Sequence, residues 1–289
     1  MKVLVTGATG FTGSYVVAAL VEMGLEVRCF VREKSDITPI ASHRIEISRG
    51  DLADRASLNK AMLGVDALVN VASLGFGHAP VIVDAALSAG VARAIFFSTT
   101  AVFTSIRTSS KVCRLAAEEK IKASGLRYTI FRPTMIYGAA KDRNMCRLIR
   151  YLKRYPVIPI IGTGTNLQQP VYVQDLADAV VGAICSDRTC NEGYNLPGAA
   201  AISFNEVVDI ICRLLKRHVR KIYLPQRPFV AGLSLIERVS SSLPIKSEQI
   251  RRLNEDKAFD YSRASAHFGY SPRSFSEGIQ AEIADMRLI

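Results

Sequence analysis

The sequence predicts an α/β protein: a doubly wound parallel sheet, followed by a smaller, mostly C-terminal unit. Three observations carry this. Short, nearly uninterrupted apolar runs alternate with amphipathic helical stretches up to about Pro133, the pattern of parallel strands covered on both faces. The stretches between runs are long enough for helical crossovers. Beyond Pro133 the rhythm loosens, and Pro156, Pro159, Gly162, Gly164, Pro170 and Pro197 punctuate the chain. These features divide the protein into residues 1–133, a nucleotide-binding-type sheet domain, and residues 134–289, a smaller substrate-type domain. Segments near 157–161, 171–173 and 194–196 are candidates to return to the sheet.

In order, KVLVT (2–6), EVRCFV (26–31), RIEIS (44–48), ALVNVA (67–72), AIFFST (94–99) and YTIFR (128–132) read as strands, rich in β-branched and aromatic residues. GSYVVAALVEMG, DRASLNKAMLG and APVIVDAALSAG read as the helices between them, and TSSKVCRLAAEEK (108–120) as the helix after the fifth strand. FNEVVDIICRLLKR is a helix of the second unit, and FVAGLSLIERVSSSL (229–243) is an apolar helix candidate.

Composition narrows the class. Of 289 residues, 49% are hydrophobic and 22% charged, an ordinary globular balance. No apolar run is long enough to span a bilayer, and MKVLVTGATG lacks the features of a secretory signal. A soluble, cytoplasmic protein is the expectation. Six scattered cysteines without a C-x-x-C pair, and four unrelated histidines, point to reduced packed thiols and no metal site. The 37 basic and 26 acidic residues leave a net charge of +11, concentrated in two helix-like stretches, KDRNMCRLIRYLKR (141–154) and RLLKRHVRK (213–221). No aromatic residues interleave there as a base-stacking surface requires, so phosphorylated small molecules are expected and nucleic acid is not.

VTGATGFTG joins the first strand to the first helix and spaces Gly7, Gly10 and Gly13 as G-x-x-G-x-x-G. One glycine permits the tight turn, one the approach of a pyrophosphate to backbone, and one close helix–strand packing. Thr9 lies within the turn, and the free amides near Phe11 and Thr12 face the anion. A dinucleotide is the implied cofactor. The second strand ends Val31-Arg32 with no acid at the turn. An acid there would accept from the ribose hydroxyl of NAD, whereas an arginine suits the 2′-phosphate of NADP. NADP is expected, with NAD the alternative. In RGDLAD, Asp51 can accept from adenine, with Leu52 beside it; in NVAS, Val71, Ala72 and Ser73 pass close to a ribose.

TGATGFTG, GDL, NVAS, STTAVF, GLRYTIFRP, QQPVYVQDLADAV and YNLPG, in that order, resemble the extended and atypical short-chain dehydrogenase/reductases, the NAD-dependent epimerase/dehydratase-like superfamily. The resemblance covers nearly the whole chain. It implies a Rossmann domain, a cofactor across the C-terminal strand ends as far as Pro133, and a substrate cleft under the second domain. It also implies a Ser/Thr after strand five and Tyr-x-x-x-Lys on the next helix, the phenol moving a proton while the lysine holds ribose.

Thr99 takes the hydroxyl position, but the helix departs from the pattern. Counting back from Glu118 puts Arg114 at the lysine position and Ser110 at the tyrosine position. An alkyl hydroxyl is far less acidic than a phenol, and an arginine stays charged. Lys111 is an acid–base candidate if buried, and Tyr137 a remote substitute or a structural residue. Gln169 stands where nucleotide-sugar enzymes often carry an arginine for the substrate diphosphate, and Asp175 is expected to cap the following helix. The chain is thus expected to be an NADP-dependent oxidoreductase or a nucleotide-sugar epimerase/dehydratase relative acting on a small, phosphorylated or nucleotide-sugar substrate. The alternative is a catalytically silent NADP(H)-binding sensor or assembly protein. The resemblance further implies a homodimer through helices 79–90 and 109–123; Val112, Leu115 and Ala116 are candidates either for its face or for packing against the sheet.

Overall fold

The structure, a computed structural model, describes residues 1–106, 108–140, 142, 144–226, 228 and 255–288. The apolar stretch 229–243 lies outside the described residues.

Seven parallel strands form the main sheet: β1 (Lys2–Thr6), β2 (Glu26–Val31), β3 (Glu46–Arg49), β4 (Ala67–Asn70), β5 (Arg93–Phe97), β6 (Tyr128–Pro133) and β11 (Glu192–Leu196). Their spatial order is β3-β2-β1-β4-β5-β6-β11. All residues of β4 and β5 are buried, as their unbroken apolar character requires. The order reverses between β1 and β4, which opens a crevice at the carboxyl ends of these strands. Of the three segments read as candidates to return to the sheet, only the last does so, as β11 along β6.

Helices cover both faces. One carries α1 (Phe11–Glu22), packed on α6 (Val173–Ile184), and the core there gathers Val16, Leu20, Val180 and Ile95. The other carries α2 (Arg55–Met62), α3 (Ala79–Ser88) and α4 (Ser109–Lys122) over Leu68, Phe96 and Ile130. Thr108 begins α4 with its side chain, accepting from the Lys111 amide at 3.1 Å. Glu118, on the buried side of α4, is held by Arg132 of β6, whose Nε stands 3.0 Å from Oε1.

A second core joins α5 (Met145–Arg154), α7 (Phe204–Leu214) and α9 (Phe275–Asp285) through Ile149, Leu152, Val208, Ile211 and Ile279. Three small strand pairs edge it: β7 (Ile136–Tyr137) with β10 (Val171–Tyr172), β9 (Leu167–Gln168) with β12 (Ile202–Ser203), and β8 (Val157–Ile161) with β13 (Arg220–Leu224). The helix α8 (Ser262–Phe268) returns to α6 and β11.

Two sequence expectations need correction here. The basic stretch 213–221 is not helical throughout. Lys216 takes φ +51, ends α7, and sends Arg220 and Lys221 into β13. Asp175 does not cap α6: Tyr172 is the capping residue, and Asp175 lies inside the first turn. There its carboxylate accepts from Arg273 Nε at 2.7 Å and from the Arg273 amide at 3.0 Å. That pair fastens the start of α9's segment to α6.

The second core also encloses an acid pair. Glu282 of α9 is fully buried with neither carboxyl oxygen receiving a donor. Burial, with the adjoining Asp142 carboxyl, pushes its pKa up to about 10. Asp142 accepts from the amides of Asn144 (2.7 Å) and Cys146 (3.2 Å). Among the described residues no helix is long and apolar enough to cross a membrane.

Candidate functional site: a dinucleotide cleft

The β1–α1 turn is built by its glycines. Gly7 adopts φ +70, and a Cβ on it would stand 2.7 Å from the Ala72 amide nitrogen. A Cβ on Gly13 would stand 2.0 Å from the Gly7 carbonyl oxygen, so α1 can cross β1 this closely only with glycine there. Gly10 caps α1 without a side-chain hydrogen bond, and the first turn holds no acid. The leading amides of α1 are left for an anion. Behind the turn, Thr6 Oγ1 donates to Asn70 Oδ1 at 2.7 Å, and Asn70 Nδ2 donates to the Ala72 carbonyl at 2.9 Å, fixing the ends of β1 and β4 to each other.

Two cavities run along the strand ends and share Val71 and Ser73. The larger, about 540 Å³, is lined by Gly7, Thr9, Gly10, Arg32, Asp51, Leu52, Val71, Ala72 and Ser73 among the expected residues. It continues past Arg32 into a surface hollow walled by Glu33, Lys34 and Ser35. The smaller, about 270 Å³, is lined by Thr12, Val71, Ser73, Thr99, Arg114 and Pro133. A bent slot with an amide-rich middle, a cationic end and a hydroxyl-bearing end fits a dinucleotide, and the glycine cradle that a Cβ would fill supports the fit.

Sequence reasoning placed most of the wall but not all of it. Gly13 shapes the turn without lining the slot, and Phe11 turns its ring edge-on to Tyr15 instead (6.0 Å between centroids). Phe30, Ser35, Gly50, Phe76 and His78 line the larger cavity, and Leu74, Phe97, Ser98, Ala101 and Ile136 the smaller. Gly50 in RGDLAD and Ile136 in RPTMIYG flank positions already singled out; Phe76 and His78 carry no local signal. The buried Ser98 Oγ has no hydrogen-bond partner.

At the hydroxyl-bearing end, Thr99 Oγ1 accepts from the Ala101 amide at 3.2 Å. Arg114 reaches the cavity across Gly75, where a Cβ would stand 3.2 Å from its Cζ. Ser110, in the first turn of α4, does not line the cavity, and its hydroxyl meets Thr108 Oγ1 at 3.2 Å. The Lys111 ammonium donates to the Thr104 carbonyl. Tyr137 is fully buried in the second core against Tyr172 and Phe275, a structural residue whose phenol burial pushes up. Gln169 is buried too. Its amide nitrogen donates to the Gly198 carbonyl at 2.8 Å, and its oxygen accepts from the Phe259 amide at 2.8 Å. Among the described residues no three His, Cys, Asp or Glu converge as a metal site.

Comparison with known proteins agrees with this geometry. A family model described as NAD(P)H-binding matches residues 7–150. Ceramide reductase of Caulobacter vibrioides is 30% identical over 83% of this chain and 78% of its own. The chain belongs to the NAD(P)H-binding family. Within this family it is also 28% identical to subunit 9 of the mitochondrial NADH dehydrogenase 1 alpha subcomplex of Arabidopsis thaliana, over 88% of this chain and 68% of that one. Its fold matches the UDP-glucose 4-epimerase of Thermotoga maritima, solved with UDP-glucose, with a TM-score of 0.80 over 99% of both chains at 18% identity.

Proposed function

We propose that the protein is an NADP(H)-dependent oxidoreductase of this family, acting on a small carbonyl or alcohol substrate. The observation that carries the cofactor choice is Arg32, which follows β2 directly and lines the larger cavity where an NAD site would place an acid; Glu33 and Lys34 wall the adjoining hollow. A guanidinium there pairs with a 2′-phosphate and offers nothing to a bare ribose hydroxyl that an acid would not serve better. Gly7, Gly10 and the leading α1 amides would hold the pyrophosphate, Asp51 and Leu52 the adenosine side, and Val71, Ala72, Ser73 and Pro133 the nicotinamide side.

When bound, the nicotinamide would supply or accept a hydride. The chain's own part is to orient the substrate oxygen and balance its charge. Thr99 offers a hydroxyl, and Arg114 a permanent cation that stabilises an oxyanion without exchanging a proton. Ser98 adds a hydroxyl beside them. The engagement of Gln169 with backbone on both sides supports a substrate that is not gripped by a diphosphate at that position, in preference to a nucleotide sugar.

A second reading, a silent NADP(H)-responsive binding or assembly protein, is favoured by one observation: Ser110 and Lys111 are both engaged with the loop before α4 and not with the cavity. Consumption of NADPH with a panel of ketones and aldehydes separates the two. Turnover that Thr99→Val and Arg114→Met abolish supports the enzyme; tight binding without turnover supports the sensor. The exposure of Val112, Leu115 and Ala116 on α4 supports a homodimer, which Leu115→Glu should convert to monomer in size-exclusion runs. Composition supports a cytoplasmic setting.

A further inference from the structure

The second core ends in an unusually basic pole. Lys153 donates to the Leu288 carbonyl, which brings the end of α5 to the end of α9. Arg220 donates its amide to the Pro156 carbonyl at 2.8 Å, which brings the end of α7 and the start of β13 to the same place. Three helix C-termini thus converge. They present Lys153, Arg154, Arg213, Lys216, Arg217 and Arg220, all exposed. Among the described residues none of these six forms an ion pair with an acid. One cation near each helix end answers the helix dipole, but that need does not account for six.

Backbone geometry adds an independent observation. Lys216 (φ +51) and Arg287 (φ +52) occupy the left-handed position that closes α7 and α9. The Arg217 amide donates to the Cys212 carbonyl and the Leu288 amide to the Ile283 carbonyl, completing the same closing motif twice. Glycine is the favoured residue there, and α1 and α3 do end on glycines at that position, Gly24 and Gly90. At this pole both positions hold cations, against local preference.

The pole is also partly apolar. Tyr155 and Ile222 are 43% and 45% exposed. The Arg154 guanidinium lies 5.6 Å over the Tyr155 ring. In the β8–β13 register, Ile222 pairs with the exposed Pro159, while Ile158 and Ile160 turn inward to the core. Cations beside a half-exposed aromatic and a half-exposed aliphatic group suit a surface that is anionic outside and apolar beneath.

We propose that this pole docks the protein on a bilayer surface carrying anionic headgroups, its cations meeting phosphates and carboxylates and Tyr155 and Ile222 entering the interfacial layer. No wall of the dinucleotide cleft takes part, so the inference stands or falls independently of the function proposed above.

The test is co-sedimentation of the full chain with phosphatidylcholine vesicles, with and without phosphatidylserine. Binding should be at least about tenfold stronger with phosphatidylserine, and should fade as salt shortens the Debye length from about 10 Å to about 3 Å. Lys216→Glu with Arg217→Glu should lower it by about tenfold or more. Lys216→Gly separates function from folding: it should weaken vesicle binding while leaving the melting temperature equal or higher. NADPH titration of each variant confirms an intact fold. Equal binding to both vesicles, binding to neither, or displacement from vesicles by a short DNA duplex would each overturn the proposal.

Discussion

At the β1–α1 end of the cleft, Gly7 and Gly13 stand where any Cβ would strike backbone; at the β5–α4 end, Ser110 stands where the short-chain dehydrogenase/reductase pattern has tyrosine, and its hydroxyl meets Thr108. The first end is constrained by sterics, and a single methyl group would disturb it. The second is constrained only by the chemistry it must perform, so its residues can change without cost to the fold. Yet α4 itself is firmly held, because the Arg132–Glu118 pair fixes it to β6 one turn below Arg114. The difference teaches that Ser110 takes the tyrosine position on a firmly packed helix, and not on a decayed one.

The sharpest way to break this comparison is to loosen the scaffold. Arg132→Met leaves the Glu118 carboxylate buried without its cation. It should cost about 3–5 kcal/mol in chemical denaturation, with much of the loss recovered when Glu118→Leu is added. Next in size, Gly13→Ala forces the Gly7 carbonyl away from α1. It should cost about 2–3 kcal/mol and abolish nucleotide binding by fluorescence titration. A stable, nucleotide-binding Gly13→Ala protein would end the claim that sterics govern this end.

The acid pair in the second core gives a control away from the cleft. Folding raises Glu282 from the ordinary 4.5 to about 10, so the folded chain binds this proton more tightly than the unfolded chain. Stability therefore falls as pH rises through that window. Glu282→Gln keeps a donor for Asp142 and should raise stability by about 2 kcal/mol at about pH 9, with little change near about pH 4. Urea melts at the two values check it.

Smaller effects sharpen the cofactor assignment. Arg32→Glu should cut NADPH affinity by about tenfold, or about 1.4 kcal/mol, and leave NADH affinity nearly unchanged. Comparable NADPH and NADH affinities in the unmodified chain would remove the role given to Arg32. Smallest of all, Ser110→Tyr with Arg114→Lys should shift stability by under about 1 kcal/mol in thermal melts, because Ser110 is only partly covered and faces the loop before α4. A large loss would show that this helix face is packed.

Legibility in the sequence followed the same division. The first six strands could be read because runs such as ALVNVA and AIFFST are long enough to carry a pattern, and their bounds shifted by only a few residues on folding. The glycine turn was legible because local sterics dictate it, and the place of Arg32 on the cavity wall followed from the end of β2. The two-residue strands β7, β9 and β12 have no periodicity to read; a strand near 171–173 could be read, but its pairing with β7, like that of β9 with β12, is decided by partners far along the chain. Gln169, Glu118, Asp142 and Glu282 are polar residues buried by long-range packing; nothing in their neighbours announces it. Ser110 and Arg114 were located by counting from Glu118, but only the folded chain separates them, Arg114 at the cavity and Ser110 away from it.

One consequence concerns the edge of the main sheet. The matched region ends at residue 150, yet β6 is completed by β11, and the outer face of α1 is covered by α6. A fragment stopping there would bare a row of backbone amides and carbonyls on β6 and strip the apolar flank of the nucleotide helix. Such a piece would have every residue of the glycine turn and still pair with its own copies into aggregates. The chain's two halves are stitched, and the nucleotide site requires the later half to be synthesised before it can be safe in water.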